Sequence, residues 1–117
     1  MPGDKGLSGR FPDPIAVEAG EAFAVSERNS AWDHNPAWIW VWCTDQRGKG
    51  GWVPKNIIQM GADGLTGTTP AAYNARELTV IAGQELTIEQ EESGWFWCHD
   101  QQGKRGWVPL NHVQEES

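Results

Sequence analysis

Basic residues are scarce in this chain, with nine Lys and Arg against sixteen Asp and Glu and a net charge of −7. Phosphate binding needs clustered cations, so a nucleic-acid partner is not expected. No apolar run approaches the ~20 residues that cross a bilayer, which removes a membrane-spanning helix and a membrane partner from the expectation. The start, Met1-Pro2-Gly3-Asp4-Lys5-Gly6, lacks the apolar stretch of a signal peptide, so a soluble cytoplasmic protein is expected. Cysteine is limited to Cys43 and Cys98. The pair allows one disulfide, but each thiol lies between aromatics and a turn in an apparent strand, and two reduced core thiols are favoured.

Nucleophile, phosphate and metal signatures are missing as well. No glycine loop of the GxxxxGK type occurs. His34, His99 and His112 fall in loops or at strand ends without a spaced carboxylate, and Cys98-His99-Asp100 is not a metal-ligand spacing. The expectation is a protein that is not an enzyme and that carries no cofactor and no metal.

Tryptophan and glycine are abundant, at eight and fourteen residues. The tryptophans sit in an internal repeat. Trp40-Val-Trp-Cys-Thr-Asp-Gln-Arg-Gly-Lys-Gly-Gly-Trp-Val-Pro-Lys-Asn56 matches Trp95-Phe-Trp-Cys-His-Asp-Gln-Gln-Gly-Lys-Arg-Gly-Trp-Val-Pro-Leu-Asn111 at a constant offset of 55. Extended to Gln59 and Gln114, 13 of 20 positions are identical. Upstream, Ile15–Val25 parallels Leu78–Ile88 at an offset of 63, so the first copy holds eight more residues (63 − 55) between the two blocks. They fall within 26–39, whose Asn, Asp, Pro and Trp content is that of a loop.

The expected organisation is a flexible arm at 1–10, a first repeat at 11–60 with its long loop at 26–39, a Gly/Thr/Pro linker at 61–70, and a second repeat at 71–117. Charge is uneven: residues 1–61 carry seven acids and six bases, and residues 62–117 carry nine acids and three bases. Within each copy, Leu78 and Val80, Leu86 and Ile88, and Phe96 and Cys98 alternate with the period of half-buried strands. Turn signals separate the segments, and a short helical turn is placed only after Pro54 and Pro109. Units this small hide their edges by closing on themselves, so the fold class is all-β: two tandem small barrels of about five short strands each.

Residues 72–114 resemble a Src-homology 3 (SH3) domain. Glu77-Leu78-Thr79-Val80 with Gly83 and Leu86 is similar to the family's ELSF…GD.L block, Gly94-Trp95-Phe96 to its GWW, and Gly106-Trp107-Val108-Pro109-Leu110-Asn111-His112-Val113 to its GYIPSNYV ending. The resemblance implies a non-catalytic protein–protein interaction module with an aromatic groove for proline-rich peptides. Tyr73, Trp95, Pro109 and Asn111 take groove positions, and His112 replaces the usual tyrosine. Trp107 lies beside them, and Glu77, Glu91 and Glu92 would meet a basic ligand. The first long loop is shortened in this copy. The first copy, with Ile57 at a groove tyrosine position, is not expected to bind peptide.

Trp95 and Trp97 are two apart on one strand and share a face with Trp107; Trp40, Trp42 and Trp52 repeat the arrangement. Such a face either packs against the other copy, is covered by the arm or the long loop, or contacts a ligand. The alternatives to peptide binding are an accessory structural pair that packs on a larger partner through these tryptophans, and a bacterial cell-wall-binding module.

Overall fold

A computed structural model describes residues 13–113. Among them are ten strands and three short 3-10 turns, and no α-helix. The strands are β1 (Ala16–Val17), β2 (Phe23–Ala31), β3 (Ile39–Thr44), β4 (Gly50–Pro54), β5 (Gln59–Met60), β6 (Thr66–Thr68), β7 (Tyr73–Asn74), β8 (Leu86–Glu92), β9 (Trp95–Asp100) and β10 (Arg105–Pro109). The chain is all-β, with the short antiparallel strands of an SH3-like barrel.

The repeated sequence folds into the same hairpin twice. Trp40 pairs with Pro54 and Cys43 with Gly51; 55 residues on, Trp95 pairs with Pro109 and Cys98 with Gly106. The shared Asp-Gln-x-Gly-Lys segment makes the turn. Asp45 Oδ1 accepts the amides of Arg47 and Lys49 at 2.9 and 3.0 Å, and Asp100 Oδ1 accepts those of Gln102 and Lys104 at 2.9 and 2.9 Å. Gly48 and Gly103 close the turns with φ of 82° and 86°, a left-handed conformation in which a side chain is strained. A 3-10 turn follows each hairpin, at Lys55–Ile57 and Leu110–His112, as the two prolines predict.

Three expectations change. The 26–39 segment is not a long loop, because β2 continues to Ala31 and stays paired with β3 through Ala31↔Ile39. Its eight extra residues extend a hairpin, tipped by a 3-10 turn at Trp32–His34. The 61–70 linker contains β6, which pairs with β2 and β5. Gly67 makes this possible: a Cβ there would lie 2.7 Å from Ile58 Cγ2 and 3.1 Å from Val25 Cγ2, so only glycine lets the backbone approach. In the second copy, Leu78 and Val80 pack on the barrel interior, but the segment forms only an isolated bridge, Glu77 to Trp107.

The two copies are therefore unequal. The first belongs to a five-stranded sheet in the order β4-β3-β2-β6-β5; the second has three strands among the described residues, in the order β10-β9-β8. A third, two-stranded sheet joins them, pairing Ala16 with Asn74 and Val17 with Tyr73. The expected arm at 1–10 lies outside the described residues.

Alternation decides what each strand buries. Phe96 and Cys98 meet Val108 inside the second copy, with Leu78, Val80, Leu86 and Ile88 around them. Trp95 and Trp107 belong to a different cluster, together with Trp40, Trp52, Val53 and Cys43 of the first copy. One continuous core thus runs from the first copy into the contact between copies. Cys43 and Cys98 are buried and unpaired. Burial pushes the Cys43 thiol up to about 12, and burial with the nearby Glu89 charge pushes Cys98 up to about 11.

Candidate functional site: the Trp95 groove and the face that covers it

β9 places Trp95 at the start of the strand, where Gly94 allows the chain to turn with φ of 91°. Trp95 is 2% exposed. Trp32, from the tip of the β2–β3 hairpin, lies on it with ring centroids 4.9 Å apart and an interplanar angle of 58°. Trp40 of β3 approaches from the other copy at 6.3 Å, edge to face, and meets Trp107 at 5.9 Å. Aromatic pairs in these geometries add about 0.5–1.5 kcal/mol each beyond the area they bury.

The polar contacts are lopsided. Trp40 Nε1 donates to the Ser93 carbonyl at 3.1 Å. Trp95 Nε1 is buried and has no hydrogen-bond partner. The two indoles occupy equivalent places in the repeat, yet only one finds an acceptor. Asn56 Nδ2 donates to Glu92 Oε2 at 3.2 Å and to Ser93 Oγ at 3.4 Å, and Ser93 Oγ donates to Glu92 Oε2 at 2.7 Å. The 3-10 turn of the first copy therefore sits against the Glu92-Ser93-Gly94 turn of the second.

The expected groove residues divide into two groups. Tyr73, Trp95 and Trp107, expected to line an open groove, are buried instead: Trp32 and Trp40 pack on Trp95, Trp40 also meets Trp107, and Tyr73 lies 6.0 Å from Trp107. Tyr73 Oη donates to the Trp52 carbonyl at 2.6 Å, and Trp107 Nε1 donates to the Asn74 carbonyl at 2.9 Å. Burial raises the Tyr73 hydroxyl pKa well above its ordinary value, followed by the charges of Cys43, Glu77 and Glu92. Pro109, Glu77 and Glu92 are half-buried, and Asn111, His112 and Glu91 are exposed. Three of these outer residues, Glu77, Glu91 and Glu92, are acidic.

The expected interface tryptophans pair across strands. Trp42 meets Trp52 at 5.3 Å, and Trp97 meets Trp107 at 5.4 Å. Arg28 lies 5.0 Å from both rings of the first pair, close enough for cation–π attraction. Trp32, Arg28 and Ser93 were not singled out from the sequence. Trp32 alone carried a signal, an apolar indole in a segment of otherwise loop-like composition.

One reading of the histidines is corrected. His99 does have a carboxylate partner, Glu89 across the β8–β9 pair, with Nδ1 and Oε2 2.7 Å apart; Arg105 Nε donates to the same oxygen at 3.1 Å. The hydrogen bond from His99, then that from Arg105, lowers the Glu89 pKa. Period-two spacing on neighbouring strands brings these residues together, which separation along the chain does not reveal. Among the described residues, no three His, Cys, Asp or Glu side chains gather where a metal ion would fit. No helix among them is long and apolar enough to cross a membrane.

Residues 68–116 match the family of variant SH3 domains. This segment is similar to SH3 domains. The chain is also similar to myosin heavy chain IB of Acanthamoeba castellanii, 39% identical over 44 residues that cover 38% of this chain and 4% of that one. No solved structure matches. SH3 domains as a class mediate protein–protein interaction and are typically non-catalytic.

Proposed function

We propose that the chain is a non-catalytic interaction module in which the SH3-like domain at 68–116 receives an extended, proline-containing basic peptide at Trp95, and the first repeat covers that tryptophan until a partner displaces Trp32. The observation that carries the reading is the unpaired Trp95 Nε1, sealed under Trp32 while Trp40 Nε1 has the Ser93 carbonyl. A buried unpaired donor costs about 1–3 kcal/mol. A polyproline II segment has no internal hydrogen bonds, so its carbonyls are free to accept from such a donor. Glu91, Glu92 and Glu77 surround the site with negative charge, which favours a basic ligand and a salt-sensitive association. In this reading residues 11–60 and 71–117 act as a tandem pair. Two unpaired buried cysteines support a reducing, cytoplasmic setting.

Titration of basic proline-rich peptides, followed by amide chemical shifts, tests the proposal. Shifts at Trp95, Asn111 and Glu91 are expected, with tighter binding in Trp32→Ala and none in Trp95→Ala. Unchanged spectra in both the parent and Trp32→Ala remove the peptide reading. A second reading has its own support: full burial of Trp40 and near-full burial of Trp95 suit a closed structural pair that docks on a larger partner with the groove unused. That reading expects Trp32→Ala to lower stability without creating any peptide response.

A further inference from the structure

We infer that, on the reading in which Trp95 receives the ligand, its exposure is controlled by a strained lid: residues 32–38, the tip of the β2–β3 hairpin, which opens while the rest of the first copy stays docked. Three non-glycine residues among the described ones have positive φ, Asp33 at 53°, His34 at 56° and Ser93 at 50°. All three lie at one contact. Asp33 and His34 follow Trp32 in the tip, and Ser93 precedes Gly94, on which the tip rests. A Cβ at Gly94 would lie 2.6 Å from Trp32 Cδ1 and 2.8 Å from Trp38 Cε3, so two tryptophans of the tip grip one glycine. Trp32 covers Trp95, whose Nε1 is buried and unpaired. Left-handed φ at a residue with a Cβ and a buried unpaired donor each raise the energy of the closed arrangement. Strain of this kind gathers at clamps and switches, where the surrounding packing holds it in place.

The repeat shows the unstrained alternative. β8 and β9 are joined by the two residues Ser93 and Gly94, whereas seven residues, 32–38, join β2 to β3. Trp40 rests on the short turn, and its Nε1 reaches the Ser93 carbonyl. Trp95, at the equivalent place, lies under the long tip and finds no acceptor. The backbone bonds of the tip run within it: the Asn35 amide donates to the Trp32 carbonyl and the Trp38 amide to the Asn35 carbonyl, both at 3.0 Å. Asp33, His34, Pro36 and Ala37 are exposed, so the tip can change conformation without disturbing either core. Opening lifts Trp32 and Trp38 off Gly94, frees the Trp95 donor, and lets Asp33 and His34 return to ordinary φ. Trp40 stays fixed against Trp95, Trp107 and Ser93.

Hydrogen exchange at the Trp95 indole, read by nuclear magnetic resonance on the full chain, measures opening without any ligand. In the parent it is expected to be about tenfold or more faster than exchange of the Cys98 amide, which waits for the core itself to open. Asp33→Gly combined with His34→Gly relieves both left-handed residues at exposed positions, so the fold is kept. Trp95 indole exchange should then slow about fivefold. Basic proline-rich peptides should bind more weakly by the same factor, because the open state is rarer. Trp38→Ala, which removes half of the grip, should speed the exchange. A Trp95 indole as slow as the Cys98 amide in the parent, or unchanged by the two glycines, overturns the lid whether or not peptide binds. Exchange slowed by the glycines, with no peptide bound by either protein, supports the lid and removes only the ligand assigned to it.

Discussion

Replacing Trp40 by alanine is the most informative single perturbation, because its partners Trp95, Trp107 and the Ser93 carbonyl all belong to the other copy. The side chain is fully buried. Burying 150–250 Å² at ~25 cal/mol per Å² is worth roughly 4–6 kcal/mol, and measured Trp→Ala changes in cores run about 3–5 kcal/mol. Loss of the indole donor also leaves the Ser93 carbonyl unpaired, adding about 1 kcal/mol or more. A total near 4–6 kcal/mol is large against a domain stability of about 5–15 kcal/mol. Trp40→Phe keeps the six-membered ring but removes the donor and the rest of the indole, leaving a smaller cavity, so an intermediate loss of about 2–4 kcal/mol is expected. Urea unfolding followed by tryptophan fluorescence and by far-ultraviolet circular dichroism measures both. The parent should give one coincident transition, since the copies share a core. A Trp40→Ala loss below about 2 kcal/mol, or two separate transitions in the parent, would refute the shared-core reasoning.

The remaining predictions concern titration, thiols and the cover on Trp95. Burial raises the Asp45 carboxyl pKa, but hydrogen bonds from the Arg47 side chain and from the Lys49, Ala16 and Arg47 amides outweigh it and hold the value at about 2, below the ordinary 3.8. A depressed folded pKa stabilises above the unfolded value and is lost as pH falls, so about 2 kcal/mol should disappear between pH 4 and 2 on acid titration. Asp45→Asn should remove that part of the slope. Cys43 and Cys98, with thiols pushed up to about 12 and about 11, should resist a thiol reagent at pH 8 in the native state and give two free thiols once unfolded without reductant. Gly94→Ala puts a Cβ 2.6 Å from Trp32 Cδ1 at a φ of 91°, so it should lower the unfolding midpoint and increase quenching of tryptophan fluorescence by acrylamide. Unchanged quenching would count against Trp32 as the cover.

The hairpins were legible because their determinants are local. Asp45 and Asp100 accept amides two and four residues ahead, the glycines supply the left-handed turn, and period two separates Phe96 and Cys98 from Trp95 and Trp97. Free buried cysteines followed from the same alternation. The covered groove was not legible. A tryptophan on the outer side of a strand has the same sequence whether it meets a peptide or Trp32, and the facing of two copies is a long-range packing outcome. The role of β6 was hidden for another reason: glycine and threonine suit a solvated linker, and Gly67 is a strand residue only because Phe23, Val25 and Ile58 leave no room for a Cβ. His99 and Glu89 lie ten residues apart in the chain and meet only through the β8–β9 register.

The position of β6 between β2 and β5 has a consequence for synthesis. Chains emerge from the ribosome N-terminus first and begin to fold as they appear. The first sheet cannot close its order until residue 68 is out, several residues after the last strand of the first repeat. Until then the edge of β2 is bare, and the nascent first repeat holds an incomplete sheet. The last residue of that strand, Thr68, is the first of the family-matched segment at 68–116, so completion of the first sheet coincides with the start of the next segment. Cleavage within 61–65 would leave each fragment with an unfilled edge, and separate expression of the halves should favour aggregation over two small soluble domains.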